Sequence, residues 1–257
     1  MRRQSQSWLL TVVCLALASA MGYAQDLKPM AANANPSFDV ATIKPADPDA
    51  HGQGFQTRGR RIHLENESVQ NMLMFAYGIH PKQIVNAPAW FATARYNVDG
   101  VPDVEGYASL KQFQGMVQKL LAERFHVTFH HDSRELSVYA VRIGKGGSKL
   151  VKSAHDPSEL PDQTGNGREW RFTNNSMHDF AGLMQSMVDR PVVDQTELPG
   201  KFDFLLKWTP NEAPTSDPNA PPGIFTAVQE QLGLKLEPAR SSVDVLVIDH
   251  AERPTEN

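Results

Sequence analysis

The densest run of reactive side chains in this chain is His130-His131-Asp132, with His126 four residues before it. Imidazole and carboxylate groups in such a cluster would suit a metal ion. A metal needs ring nitrogens converging to about 2 Å from one point. On a strand, residues four apart are separated by roughly 13 Å, and neighbours point to opposite faces. His126 and His130 therefore do not share an ion unless the chain bends sharply, and the run reads as an exposed hairpin end. His63, His80, His178 and His250 are scattered without ligand spacing. No metal site and no cofactor is assigned.

Carboxylates offer a second chemistry. Asp99, Asp103 and Glu105 could act with another acid in glycoside hydrolysis. They lie beside Gly100, Pro102 and Gly106, which favours a solvated loop. Asp47-Pro48-Asp49-Ala50-His51-Gly52 imitates the start of a calcium loop, but its twelfth position is Arg58 and no helix leads in. Gly144-Lys145-Gly146-Gly147-Ser148 lacks phosphate-loop spacing and reads as a turn. Gly-x-Ser-x-Gly, Ser-x-x-Lys and His-Glu-x-x-His do not occur in the sequence. No catalytic residue is assigned, although a dispersed acid/base pair stays open. Among the aromatics, Trp90 is expected under a loop in the core, and Trp208, beside Thr209-Pro210, is expected to be the most exposed. Packing is favoured over ligand contact for Trp90, Trp170 and Trp208.

These residues hang on a pattern that occurs twice. Residues 61–78 (RIHLENESVQNMLMFAYG) and 170–188 (WRFTNNSMHDFAGLMQSMV) each run from a strand through Asn-x-Ser into an amphipathic helix. Ser68 and Ser176 stand where N-caps belong, so Asn66-Glu67-Ser68 and Asn174-Asn175-Ser176 read as caps rather than glycosylation sites. Val69, Met72, Leu73 and Ala76 form one stripe, ended by Gly78; Met177, Phe180, Ala181, Met184 and Met187 form the other. Residues 84–88 are echoed by 192–196, and Arg95-Tyr96-Asn97-Val98 by Lys201-Phe202-Asp203-Phe204.

A longer helix is expected over 109–124, with Leu110, Phe113, Val117, Leu120 and Leu121 inward. Its counterpart spans 224–232 and ends at Gly233. Strand pairs should follow each: 126–129 with 136–143 around a turn at 130–134, and 234–237 with 243–249. The run Val245-Leu246-Val247-Ile248 suggests a strand covered on both faces. Each copy reads strand–helix–strand–strand–helix–strand–strand. The expected class is α+β, with mixed or antiparallel sheets and helices on one face.

The expected organisation is a signal peptide at 1–24, a flexible lead-in at 25–37, a first copy at 38–152, a linker at 153–168 and a second copy at 169–257. Arg2 and Arg3, the apolar stretch 8–21 and Gly22-Tyr23-Ala24 point to cleavage after Ala24 and export to the periplasm or medium. The single cysteine, Cys14, lies in that leader, so the mature chain would be cysteine-free and without disulfides. Residues 46–59 read as a loop. Residues 209–223 carry five prolines and are expected to be irregular and mobile. The net charge of −4 falls further once Arg2 and Arg3 leave, which disfavours nucleic acid as a partner. No membrane span is expected after cleavage.

Several stretches carry a family resemblance: 38–45 (FDVATIKP), 75–78 (FAYG), 121–125 (LAERF), 191–194 (PVVD), 204–210 and 247–254 (VIDHAERP). Together they resemble the soil-associated, Acidobacteria-type family of secreted proteins that carry a domain of unknown function. The resemblance implies export and brings no catalytic residues. In some relatives a similar domain follows a membrane metallopeptidase of the antibiotic-sensor type, which implies sensing or binding outside the cytoplasm. The strand, capped helix and short β-rich return are also similar to the small periplasmic modules of secretins and signalling outer-membrane receptors, which bind proteins. The reading is a non-enzymatic binding or sensory module for a peptide, envelope component or small molecule, held at the junction of the copies. The alternatives are a secreted hydrolase acting through a dispersed acid/base pair, with glycan among its candidate substrates, and a self-associating envelope protein.

Overall fold

The computed structural model describes residues 28–157, 159, 161–210 and 220–255. The expected signal peptide at 1–24 and most of the proline-rich 209–223 stretch lie outside them. The protein is α+β, 41% strand against 22% helix, so its sheets set the frame. In chain order the first half contributes β1 (Phe38–Pro45), β2 (Gly54–Arg58), β3 (Arg61–Ser68), α1 (Val69–Tyr77), β4 (Ile84–Val85), α2 (Trp90–Thr93), β5 (Arg95–Pro102), α3 (Leu110–Arg124) and β6 (Thr128–Ile143). The second contributes β7 (Val151–Lys152), β8 (Asp162–Asn166), β9 (Glu169–Asn175), α4 (Met177–Met184), β10 (Val192–Asp194), β11 (Phe202–Lys207), α5 (Ile224–Leu232) and β12 (Leu234–His250).

Two outer sheets have matching order, β1-β5-β3-β2 and β7-β11-β9-β8. Their hairpins match as well. β2 and β3 close at Arg58↔Arg61, and β8 and β9 close at Asn166↔Glu169, each around a Gly-Arg pair. Polar β2 and β8 occupy stretches where composition suggested a loop and a linker. Both are short edge strands with few apolar residues, so neither shows an apolar alternation. The 153–168 segment therefore belongs to the second outer sheet rather than standing between the halves.

The caps repeat too. Ser68 Oγ accepts from Asn71 N–H, and Ser176 Oγ accepts from Asp179 N–H, at 3.1 Å in both cases. The preceding Asn66 and Asn174 have φ 52° and 56°. Their backbone N–H groups donate to Asn97 (2.8 Å) and Asp203 (2.7 Å), and their side-chain amides are turned into loop carbonyls. Asparagine suits a left-handed residue that must also bond its own loop. The sequons thus serve as caps and turns. Gly78 and Gly233 close α1 and α5 in the left-handed conformation, as expected.

The expected strand pairs after α3 and α5 are each one long strand. β6 and β12 pair with one another, antiparallel, from Ile143↔Leu234 to Thr128↔His250. A tight hairpin needs positive φ at its centre. Positive φ occurs at His126 and Gly233, just before each strand, and nowhere within them. The polar middles that resembled turns are a solvent-facing ladder: His131–Asp244, Ser133–Ser242 and Glu135–Arg240, each 2.6 Å. Pro238 costs no ladder bond. It faces Tyr139, whose N–H is directed away to Pro191 O on the other side, so this pair is a non-hydrogen-bonded one.

Glu135↔Ser242 marks a pseudo-two-fold axis through the ribbon. β10 joins β6 in parallel at Val192↔Tyr139, and β4 joins β12 in parallel at Ile84↔Leu246. Each short strand therefore pairs with the long strand of the other half. The cores follow this exchange. Leu246 and Ile248 of β12 pack with α1, α3 and the first outer sheet; Val141 of β6 packs with α4, α5 and the second. Val138, Val243, Val245 and Val247 form a third cluster where the halves meet. The run 245–248 is buried, as read from its composition.

Residues 28–37, expected to be a flexible lead-in, are tied down. Met30 is buried and bonded to Tyr107, Gln112 donates to Ala31 O, and Lys119 donates to the carbonyls of Asn35 and Pro36. The polar residues of this segment are held through its backbone, which composition does not reveal.

Candidate functional site

The sequence-named groups are spread over the molecule. His130 bonds Asp249 (2.8 Å) on one side of the ribbon and His131 bonds Asp244 on the other, while His126 forms the turn after α3. His63 pairs with Asp99 across the first outer sheet (2.9 Å), His250 with Glu252 (3.0 Å), and His178 is exposed. Asp103 accepts from Ser37 N–H, tying the end of β5 to the segment before β1, Asp47 accepts from Asp49 N–H within a turn, and Arg58 lies on β2. Gly147 N–H closes a turn onto Gly144 O. Among the described residues, no three or more His, Cys, Asp or Glu are grouped to hold a metal.

At the start of α1, Glu67 is 1% exposed. Its carboxylate accepts from Asn71 (2.9 Å) and Gln53 (3.4 Å), and Arg95 lies nearby. Burial pushes its carboxyl above the usual glutamate range and outweighs those three groups. The second half carries the same set with acid and amide exchanged. Asn175 takes the place of Glu67 and accepts from Gln163; Asp179 takes the place of Asn71; Lys201 takes that of Arg95. Burial opposes charge on Asp179, but the Ser176 hydroxyl and N–H and the Lys201 ammonium hold its carboxyl below the usual range. A structural role in both helix starts explains these groups. The groups around Glu67 are the amides of Asn71 and Gln53 and the Arg95 cation, not the second carboxyl that glycoside hydrolysis requires.

The junction of the halves, where a groove was expected, is bridged directly. Lys82 donates to Asp189 O (2.7 Å) and Gln185 to Gly78 O (2.6 Å). Between them His80 is buried. Its Nδ1 accepts from Lys82 N–H, and its ring bonds the Val188 carbonyl, so the neutral ring is satisfied at both nitrogens. Burial lowers its pKa, aided by Lys82, against the Val188 carbonyl and Asp189. The folded state thus binds a proton less readily than the unfolded chain. The stability His80 contributes is present above about pH 6.5 and is lost as pH falls through the lower, folded value. His80→Asn keeps a capping acceptor without the titration. Urea unfolding at pH 7.5 and pH 5 should show the deficit of the variant shrinking or reversing at the acid pH; an unchanged deficit would contradict the assignment.

A different place brings together Tyr96 and Arg253. Ile43 and Pro45 of β1, Tyr96 of β5, and Arg253 and Pro254 of the tail after β12 line a recess of about 130 Å³. The tail is anchored by Glu252 N–H to Phe125 O (2.8 Å), and the Tyr96 ring meets Phe125 edge-on. Arg253 is exposed, with its guanidinium carbon 5.5 Å from the centre of the Trp90 ring. Neither the Tyr96 hydroxyl nor the Arg253 guanidinium has a hydrogen-bonding or ionic partner among the described residues. Burial pushes the Tyr96 phenol up, with Arg253 acting the other way. By strand register the second half has Phe202 where Tyr96 stands: Tyr96 faces Pro45 and Glu67, and Phe202 faces Lys152 and Asn175. Trp90, expected in the core, is partly buried and packs against the first core with Arg253 over its ring, and its neighbour Phe91 is fully buried. Trp208 is buried at 5%, against expectation, because its backbone N–H donates to Arg168 O and its side chain joins the second core. Sequence spacing gave no sign of the recess, since its walls come from three distant segments.

The fold and this recess define a two-part α+β scaffold whose halves share a central sheet. Residues 70–251 match the family described as "Protein of unknown function (DUF3738)", and the chain belongs to that family. No curated protein and no solved structure matches it. No helix among the described residues is long and apolar enough to cross a membrane.

Proposed function

We propose that this is an exported, non-enzymatic binding or sensory module that seats its ligand in the recess beside Trp90. The observation that carries the reading is the asymmetry of two otherwise matching halves. A scaffold element needed only for folding should be present in both. Tyr96 carries a hydroxyl where the second half has Phe202, and Tyr96 and Arg253 line a recess that nothing among the described residues fills. A peptide, an envelope component or a small molecule would suit it. Cleavage after Ala24, duplication of one ancestral unit, and kinship with soil-associated, Acidobacteria-type secreted proteins belong to the same reading.

Two measurements test it. N-terminal sequencing of the exported protein should begin at Gln25; an intact leader on a cytoplasmic protein would oppose export. A thermal-shift screen of peptides, envelope glycans and small acids should raise the midpoint by several degrees for a ligand at about 100 times its Kd. Turnover of a substrate class without any such shift would favour the hydrolase instead.

A further inference from the structure

We infer that the recess recognises a carboxylate carried on a short apolar stem, an assignment that rests on the binding reading above. Three features select this chemistry. The first is donor chemistry. Arg253 offers only donors in a planar fork that matches a carboxylate, and the Tyr96 hydroxyl can supply another. Both are without a protein partner among the described residues. The second is pre-organisation. The face of Trp90 holds the guanidinium by a cation–π contact and leaves its edge donors available. Tyr96 is 5% exposed and fixed by its strand and by Phe125, so little side-chain freedom is lost on binding. The third is size and lining. A volume of 130 Å³ holds roughly four waters' worth of ligand. That is room for a carboxylate and a few carbons. Ile43, Pro45 and Pro254 give those carbons apolar walls and reduce the water that would screen the ionic contact.

The stem could belong to a free short-chain acid or to the last residue of a peptide. The test uses isobutyrate for the first and N-acetyl-glycyl-alanine for the second, with the primary amide of each and inorganic phosphate as controls. Binding is followed by calorimetry and by tryptophan emission, which should change as a negative charge settles beside the guanidinium held on the Trp90 ring. At least one carboxylate should bind, with its amide weaker by about tenfold or more. Arg253→Gln should weaken binding by about tenfold and Tyr96→Phe by about threefold. Both variants should fold, since Arg253 is exposed and phenylalanine already occupies the matching position of the second half; matching circular dichroism and melting would verify this. Binding of only one probe identifies the source of the carboxylate. Equal binding of acid and amide, equal binding of phosphate, no binding of either acid, or binding untouched by both substitutions would overturn the assignment. A hit in the thermal-shift screen that both variants leave unchanged would sink the carboxylate assignment and leave the binding reading standing. A screen without any hit would sink the binding reading itself.

Discussion

Val245→Asp leaves the chain unfolded at neutral pH. Val245 is wholly buried in the cluster that joins the halves, and its partner across the ribbon is Asp132. A carboxylate there is desolvated and faces Asp132, and the nearby Arg134 is already paired with Asp132 (3.3 Å). The cost of several kcal/mol is comparable to the whole stability of an ordinary domain, about 5–15 kcal/mol. The same change at Val151, which is 67% exposed on the edge strand β7, should alter stability by no more than about 0.5 kcal/mol. Circular dichroism of the two variants checks the contrast. A folded Val245→Asp protein would mean that the ribbon core is not where the halves are held.

Phe180→Ala should cost about 3–5 kcal/mol, the usual price of emptying a large buried aromatic site. Phe180 is fully buried on α4, and its ring meets the edges or faces of Phe172 and Phe204 at 5.7 Å. Neither neighbour can close the space freely, because both lie on paired strands of the second outer sheet. Urea unfolding gives the magnitude. A loss below about 1 kcal/mol would show that this core relaxes far more than its packing implies.

Much of the scaffold was legible because it rests on local chemistry. The helix stripes of α1, α3 and α5 face inward at the positions their spacing gives: Val69, Met72, Leu73 and Ala76 are all buried, as are Phe113, Val117, Leu120 and Leu121. Serine caps and left-handed glycines fixed the helix ends. The long ribbon was not legible, because its solvent-facing middle shows the polar residues of a turn. Only the lack of a residue with positive φ separates the two cases, and φ is not written in His130–Arg134. The edge strands β2 and β8 were hidden by their polarity. The recess was hidden for another reason: Ile43, Tyr96 and Arg253 meet only through β1–β5 pairing and the return of the tail past Phe125. No spacing rule joins residues so far apart in sequence.

The exchange of β4 and β10 across the ribbon makes the two halves one cooperative unit, and native-state hydrogen exchange on Phe180→Ala tests this most directly. The substitution lies in the second core, while α3 belongs to the first. If the halves unfold together, the most protected amides of α3 and of α5 lose protection by the same free energy, equal to the loss found in urea. Protection in α3 that stays at the wild-type level while α5 exchanges freely would contradict a shared sheet that binds the halves into one fold.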